Sequence, residues 1–287
     1  MRVLIHAAPA RMWYVNDFLV PRLRAQGLKK NQIQVWNDRD GKGNLLSCMA
    51  AFASCRGLPG GTWHIQDDVL PARDFVRRAA EHDRGIVAGF CCRDFEPRRG
   101  TEHTGPQPPR NLWYSLQCIR LPNEVAAACA DWFETVRDHP DFAAWTATGK
   151  RDDQFLRAFF QARLPGITVE NLSPNLTEHV DWLIGGSLIN RGRAIKIERS
   201  AHWDDEDLVA ELEKEMMDYN ELQKKSGKRP AAPGAAPAKG GSAGKRRTGA
   251  VSRNRGNRGG PVVRGDSSDG QPAQGKSRRD RTGKDNP

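Results

Sequence analysis

Thr62-Trp63-His64-Ile65-Gln66-Asp67-Asp68-Val69-Leu70-Pro71 joins a short apolar run to two adjacent carboxylates and a proline. Thr62–Ile65 reads as a strand that ends at Gln66-Asp67-Asp68. Pro71, favourable in a helix's first turn, is expected to open a helix over 72–82.

Upstream, 2–8 is a β-type run. An amphipathic stretch follows from Trp13 to Gln26, and Gly27 stands where a C-cap glycine belongs. Gln32–Trp36 reads as a second strand and the alanine-rich 45–55 as a buried helix. Downstream, Gly85–Cys92 is a continuous apolar run, as expected of a strand covered on both faces. Strand and helix therefore alternate through the first 92 residues. That alternation predicts an α/β fold, a mainly parallel sheet flanked by helices. In such sheets ligands gather beyond the carboxyl ends of the strands, where His6, Asp38, Asp67 and Asp68 all fall.

Further along, 93–110 is polar and rich in Pro, Gly and charge, and reads as a long acceptor-binding loop or lid. A strand over 113–121, helices over 123–137 and 152–163, a short strand over 167–169 and a charged helix over 204–224 complete the body.

The chain has 287 residues with 45 Lys+Arg against 35 Asp+Glu, a formal charge of +10. From Ser226 to Pro287 there are 15 basic and 4 acidic residues, no aromatic residue and no cysteine. The basic character thus belongs to residues 226–287, read as a disordered basic Gly/Pro/Arg-rich tail, and residues 1–225 form a nearly neutral folded domain. The tail suits a polyanion such as DNA, held with little selectivity and strong salt dependence, or it is a solubilising extension. No apolar run is long enough to span a bilayer, and the N-terminal run is not a secretory h-region. The six cysteines form no CxxC pair and sit in apolar contexts, which suits free thiols in a reducing cytoplasm.

Two carboxylates at a strand end repel one another, and a hard divalent ion such as Mg²⁺ or Mn²⁺ would relieve them. Asp pairs also cap helices, and the helix expected after Pro71 keeps that alternative open. With its apolar strand, acidic pair, Val and Pro, the segment 62–71 resembles the signature of nucleotide-sugar glycosyltransferases of the GT-A fold. It is similar above all to the branch of lipopolysaccharide-modifying galactosyltransferases, whose motif reads Glu-Asp-Asp-Val. Gln66 replaces the first acid. The resemblance implies a GT-A-like domain in which Asp67 and Asp68 hold a metal on the diphosphate of a sugar donor.

It implies two further roles by order along the chain, a catalytic base and a downstream metal ligand; the other candidates below rest on residue chemistry and position. Asp152 and Asp153, at a helix start, match the catalytic base of inverting enzymes, or else cap that helix. His179 matches a downstream metal ligand, or is structural. Gly185 and Gly186 either approach a phosphate through backbone N–H groups or form a tight turn. Arg191 and Arg193 are diphosphate partners by charge, or surface residues. His6 and Asp38 fall near the donor, and 38–44 lacks the closing Glu of a calcium loop. No GxGxxG follows the first strand, and there is no GxxxxGK[ST], HExxH or GxSxG. The expectation is a metal-dependent, phage-borne glycosyltransferase in the host cytoplasm. Its acceptor is a modified DNA base, else a protein or lipopolysaccharide. The competing class is a non-catalytic nucleic-acid-binding or scaffolding protein on the same fold.

Overall fold

In the computed structural model, which describes residues 1–90, 105–107, 116–186, 188 and 203–226, β1 (Val3–Ala7) is the hub of the sheet. It pairs in parallel with β2 (Ile33–Asn37) on one side and β3 (Gly61–Gln66) on the other. The register sets His6 opposite both Trp36 and Gln66, so the three carboxyl ends lie side by side. β3 (Gly61–Gln66) runs directly into β4 (Val69–Pro71) through the Asp67-Asp68 turn.

The remaining strands are β5 (Ile86–Ala88), β6 (Gly105–Gln107), β7 (Cys118–Pro122), β8 (Val169–Asn171) and β9 (Thr177–His179). The large sheet has the order β2-β1-β3-β7-β5-β8-β6. β7 is antiparallel to both β3 and β5, β8 is parallel to β5, and β6 is antiparallel to β8. Strands β1, β2, β3, β5 and β8 consequently share one direction, and the sheet is mainly parallel, as its alternating sequence predicts.

The period of two along each strand divides the core into two layers. Val3, Ile5, Trp63 and Ile65 pack on one face. There they meet a helical run made of α1 (Met12–Tyr14), a π-turn (Val15–Leu19) and α2 (Val20–Ala25), together with α4 (Phe75–Glu81) and α8 (Glu206–Lys225). Leu4 and Ile119 point to the other face, against α3 (Asn44–Ala53), α5 (Asn123–Val136) and α7 (Asp152–Arg163). The helix α6 (Pro140–Thr148) joins α5 to α7 and has no fully buried residue, which is why periodicity did not reveal it.

Three expectations change. Pro71 does not open a helix; it ends β4, which pairs with β9 in a small antiparallel ribbon, and the helix starts at Phe75. The helix-capping alternative for Asp67-Asp68 falls with it, because the pair sits in a strand-to-strand turn. Within 93–110, residues 105–107 form the edge strand β6, so that segment is not wholly loop. The rest of that segment, Cys91, Cys92, 113–115, and the tail beyond Ser226 lie outside the described residues. Cys48, Cys55, Cys118 and Cys129 are buried free thiols. Among the described residues, no helix is long and apolar enough to cross a membrane.

Candidate active site

At the carboxyl end of β3 the chain places side chains alternately on the two faces of the sheet. Gln66 turns toward the layer of α3 and α7, and Asp67 toward the turn that follows β1. Two polar clusters result, one on each side of the same strand end.

The first is built on the acidic pair. Asp67 is 6% exposed. Its Oδ2 accepts the Ala8 N–H at 2.6 Å, and its Oδ1 accepts from Arg11 Nη1 at 3.0 Å. The same Nη1 donates to Asp68 Oδ2 at 2.6 Å, and Arg11 Nη2 donates to the Gly186 carbonyl at 2.8 Å. Arg11 is itself buried, 4% exposed, in a short 3₁₀ turn (Pro9–Arg11) entered directly from β1. One guanidinium therefore ties together the β1 exit, the β3–β4 turn and the turn at 181–186. Burial opposes its charge, but the two carboxylates outweigh that and hold it firmly protonated.

The two acids divide the benefit unequally. Asp67 is pushed up to about 6, chiefly by burial, against the opposing pull of Arg11. At Asp68 burial also raises the carboxyl, yet Arg11 and then His179 outweigh it and hold Asp68 well below the usual carboxylate range. His179, placed opposite Val69 by the β4–β9 register, brings Nε2 to 3.4 Å from Asp68 Oδ2. Its Nδ1 lies 3.9 Å from Asp181 Oδ1, and burial raises the Asp181 carboxyl. Asp68 Oδ1 and Arg11 Nε are buried and have no hydrogen-bond partner among the described residues.

The donor chemistry of this cluster, oxygen with one imidazole, is that of a Mg²⁺ or Mn²⁺ site, but its geometry is not. Both Asp67 oxygens are committed and Asp68 Oδ2 is shared by Arg11 and His179, so Asp68 Oδ1 is the one carboxylate oxygen of the pair left open, and a cation already lies between the carboxylates. Among the described residues, no three His, Cys, Asp or Glu side chains form a metal-ligand group. As placed, Asp67, Asp68 and His179 do not fit a divalent ion.

The second cluster surrounds Asp152, the first residue of α7. Asn44 Nδ2 donates to Asp152 Oδ1 at 2.6 Å, and Gln66 Nε2 donates to Oδ2 at 3.3 Å. Asp152 is 5% exposed, and its carboxyl is pushed up to about 7, mainly by burial and then by the charge of Asp153. Asp68 adds a smaller repulsion, so the two clusters sense one another through the strand end. Asp153, the next residue of α7, is half-buried.

Local backbone explains how Asn44 reaches Asp152. Gly43 (φ 90) precedes α3, and a Cβ there would lie 2.6 Å from the Gly149 carbonyl oxygen. That carbonyl accepts the Leu45 N–H at 2.9 Å. Arg151, immediately before Asp152, adopts φ 74, a conformation costly for a residue with a side chain. Such strain gathers where surrounding structure over-determines a position.

The other expected residues have different surroundings. Asp38 accepts the Lys42 and Gly43 N–H groups, so its carboxylate closes the turn before α3. His6 Nε2 is 3.0 Å from His64 Nδ1 and edge-on to Phe52; burial lowers His6 to about 4, which keeps it neutral. Gly185 and Gly186 take positive φ, and the Gly186 N–H donates to the Asp181 carbonyl at 2.6 Å. They form the tight turn rather than offering that N–H to a phosphate. Arg191 and Arg193 lie outside the described residues.

Sequence reasoning missed Arg11, Asn44 and Asp181. Arg11 carried one usable signal, its place just beyond a parallel strand's carboxyl end, where ligand-facing groups collect.

No known family matches the chain, and no curated protein matches it. Solved structures that are similar at low level include the following two. A197 from STIV has TM-score 0.33 and 14% identity, over 62% of this chain and 85% of its own. The galactosyltransferase LgtC, solved with donor and acceptor sugar analogues, has TM-score 0.38 and 10% identity, over 79% of this chain and 100% of its own. Likeness this loose assigns the chain neither a family nor an activity.

Proposed function

We propose that the chain is a glycosyltransferase that moves a sugar from a nucleoside-diphosphate sugar to an acceptor hydroxyl, on a GT-A-like fold. The observation that carries this reading is Asp152. It is a buried carboxyl at the start of α7, held by the amides of Asn44 and of Gln66, the latter at the carboxyl end of β3. With a pKa of about 7 it exchanges its proton near neutrality, as a general base must. Its role is to take the proton of the acceptor hydroxyl as that oxygen attacks the anomeric carbon and the diphosphate departs. Asn44 and Gln66 hold both oxygens in place, and Asp153 keeps the proton affinity high.

A bound Mg²⁺ or Mn²⁺ would neutralise charge on the departing diphosphate, but Asp67, Asp68 and His179 as placed do not fit one, and no step is routed through it. The acceptor class we propose is a polyanion, DNA with modified bases before protein or lipopolysaccharide. The charge of residues 226–287 supports it through phosphate contacts that position without specifying. A cytoplasmic, phage-encoded setting belongs to the same proposal.

Arg11's hold on the acidic pair favours a second reading, a scaffold with a silent site. A thermal-shift screen with nucleotide sugars separates the two, since a ligand at 100 times its Kd stabilises by roughly 2.7 kcal/mol. A shift with one donor class, followed by release of its nucleoside diphosphate, supports the transferase. No shift with any donor supports the scaffold.

A further inference from the structure

In sequence the acidic pair suits a divalent ion, yet in the structure it already contains a cation. Arg11 Nη1 lies 3.0 Å from Asp67 Oδ1 and 2.6 Å from Asp68 Oδ2, and Nη2 is fixed by the Gly186 carbonyl at 2.8 Å. The Ala8 N–H takes the remaining oxygen of Asp67. All of these groups are buried or nearly so. A divalent ion bridging the two carboxylates would stand within about 4 Å of Nη1, where like charges repel strongly at any interior dielectric. The cluster therefore accepts Arg11 or a divalent ion, but not both at once.

We propose that Arg11 is the permanent cation of the acidic pair, and that this site takes its nucleoside-diphosphate ligand without a divalent ion bound to Asp67 and Asp68. The proposal rests on the transferase reading for the identity of the ligand, but not for the claim about the cation. The pair's function is then architectural. It holds Arg11, and through Arg11 the turn at 181–186, against the β3 end whose Gln66 donates to Asp152.

The test uses the full chain after exhaustive chelation. Mn²⁺ alone is titrated and its free signal read by electron paramagnetic resonance, for wild type, Asp68→Asn, Arg11→Met and Arg11→Gln. The expected result is no wild-type Mn²⁺ site that Asp68→Asn removes. Arg11→Met or Arg11→Gln, whichever remains folded by circular dichroism, should gain Mn²⁺ affinity of at least about tenfold over wild type. A wild-type Mn²⁺ site lost in Asp68→Asn overturns the proposal.

A second measurement needs no variant. Uridine and guanosine diphosphate binding to wild type is followed by calorimetry in EDTA and in Mn²⁺. Affinities equal within about twofold support the proposal; binding only in Mn²⁺ overturns it. If neither diphosphate binds under any condition, the transferase reading loses its support, while the Mn²⁺ titration still decides whether Arg11 is the cation.

Discussion

Arg11 Nη1 stands 2.6 Å from Asp68 Oδ2, in a largely buried contact that crosses 57 positions of sequence and closes the β3–β4 turn against the exit of β1. Removing one member of such a pair leaves the other charged and desolvated. Arg11→Ala should therefore lower unfolding free energy by about 3–5 kcal/mol near neutral pH. The deficit should shrink as pH falls and the abandoned carboxylates take up protons. Urea unfolding at several pH values measures both.

Asp152 supplies a pH signature with a fixed sign. Its carboxyl is raised to about 7, so the folded state binds its proton more tightly than the unfolded state does. That contribution to stability is complete below the ordinary carboxylate pKa and is lost as pH rises through about 7. The slope is at most about 1.4 kcal/mol per pH unit. Asp152→Asn should flatten that part of the stability profile, measured as the difference between variant and wild type in urea.

Activity should run the opposite way. A base must be unprotonated, so kcat/KM should rise with pH through a midpoint near 7. Asp152→Asn should lower kcat by roughly 10²–10⁴. Steady-state rates across pH, with fixed ionic strength, provide the check.

Gln66 stands where the resembling motif carries an acid, and here it donates to Asp152 Oδ2 at 3.3 Å. Gln66→Glu would put a like charge against that oxygen. We expect the activity midpoint to move upward by roughly one pH unit or more, because like charges disfavour ionisation. Restoring the motif's acid should thus impair this protein at neutral pH. A pH–rate profile of the variant tests it.

Gly149 adopts φ 62, and a Cβ there would meet the Lys42 carbonyl oxygen at 2.3 Å. Gly149→Ala should cost roughly 1–3 kcal/mol of stability. It should also push Asn44 away from Asp152, since Gly149 anchors the start of α3 through Leu45. Thermal unfolding together with the Asp152 titration midpoint separates the two effects.

The alternation of apolar runs and amphipathic stretches made most of the fold legible. The strands ending at Ala7, Asn37 and Gln66, and the helices at 44–53, 123–136 and 206–225, follow from burial patterns that a linear reading detects. What remained hidden is of a different kind. Pro71 is ambiguous locally, because its missing N–H suits a helix start and a strand end alike; pairing with Thr177 decides between them, and that partner is over a hundred residues away. β9 is only three residues long and buried throughout, and α6 has no fully buried residue, so neither carries a periodic signal.

The site divides in the same way. Asp67, Asp68, Asp152 and His179 were visible as residue types at suggestive places. That Arg11 neutralises the first two, and that Asn44 and Gln66 grip the third, depends on which face of the sheet each side chain takes. A sequence motif records neighbours along the chain, not across it.

The proposed activity is sugar transfer with Asp152 as the base. It is tested most directly by incubating the full chain with nucleotide sugars and the polyanionic acceptors, and measuring released nucleoside diphosphate for wild type and Asp152→Asn. Release by wild type with at least one donor is expected, reduced by roughly 10²–10⁴ in a folded Asp152→Asn protein. Release at equal rates by both proteins, or by neither with any donor, would contradict it.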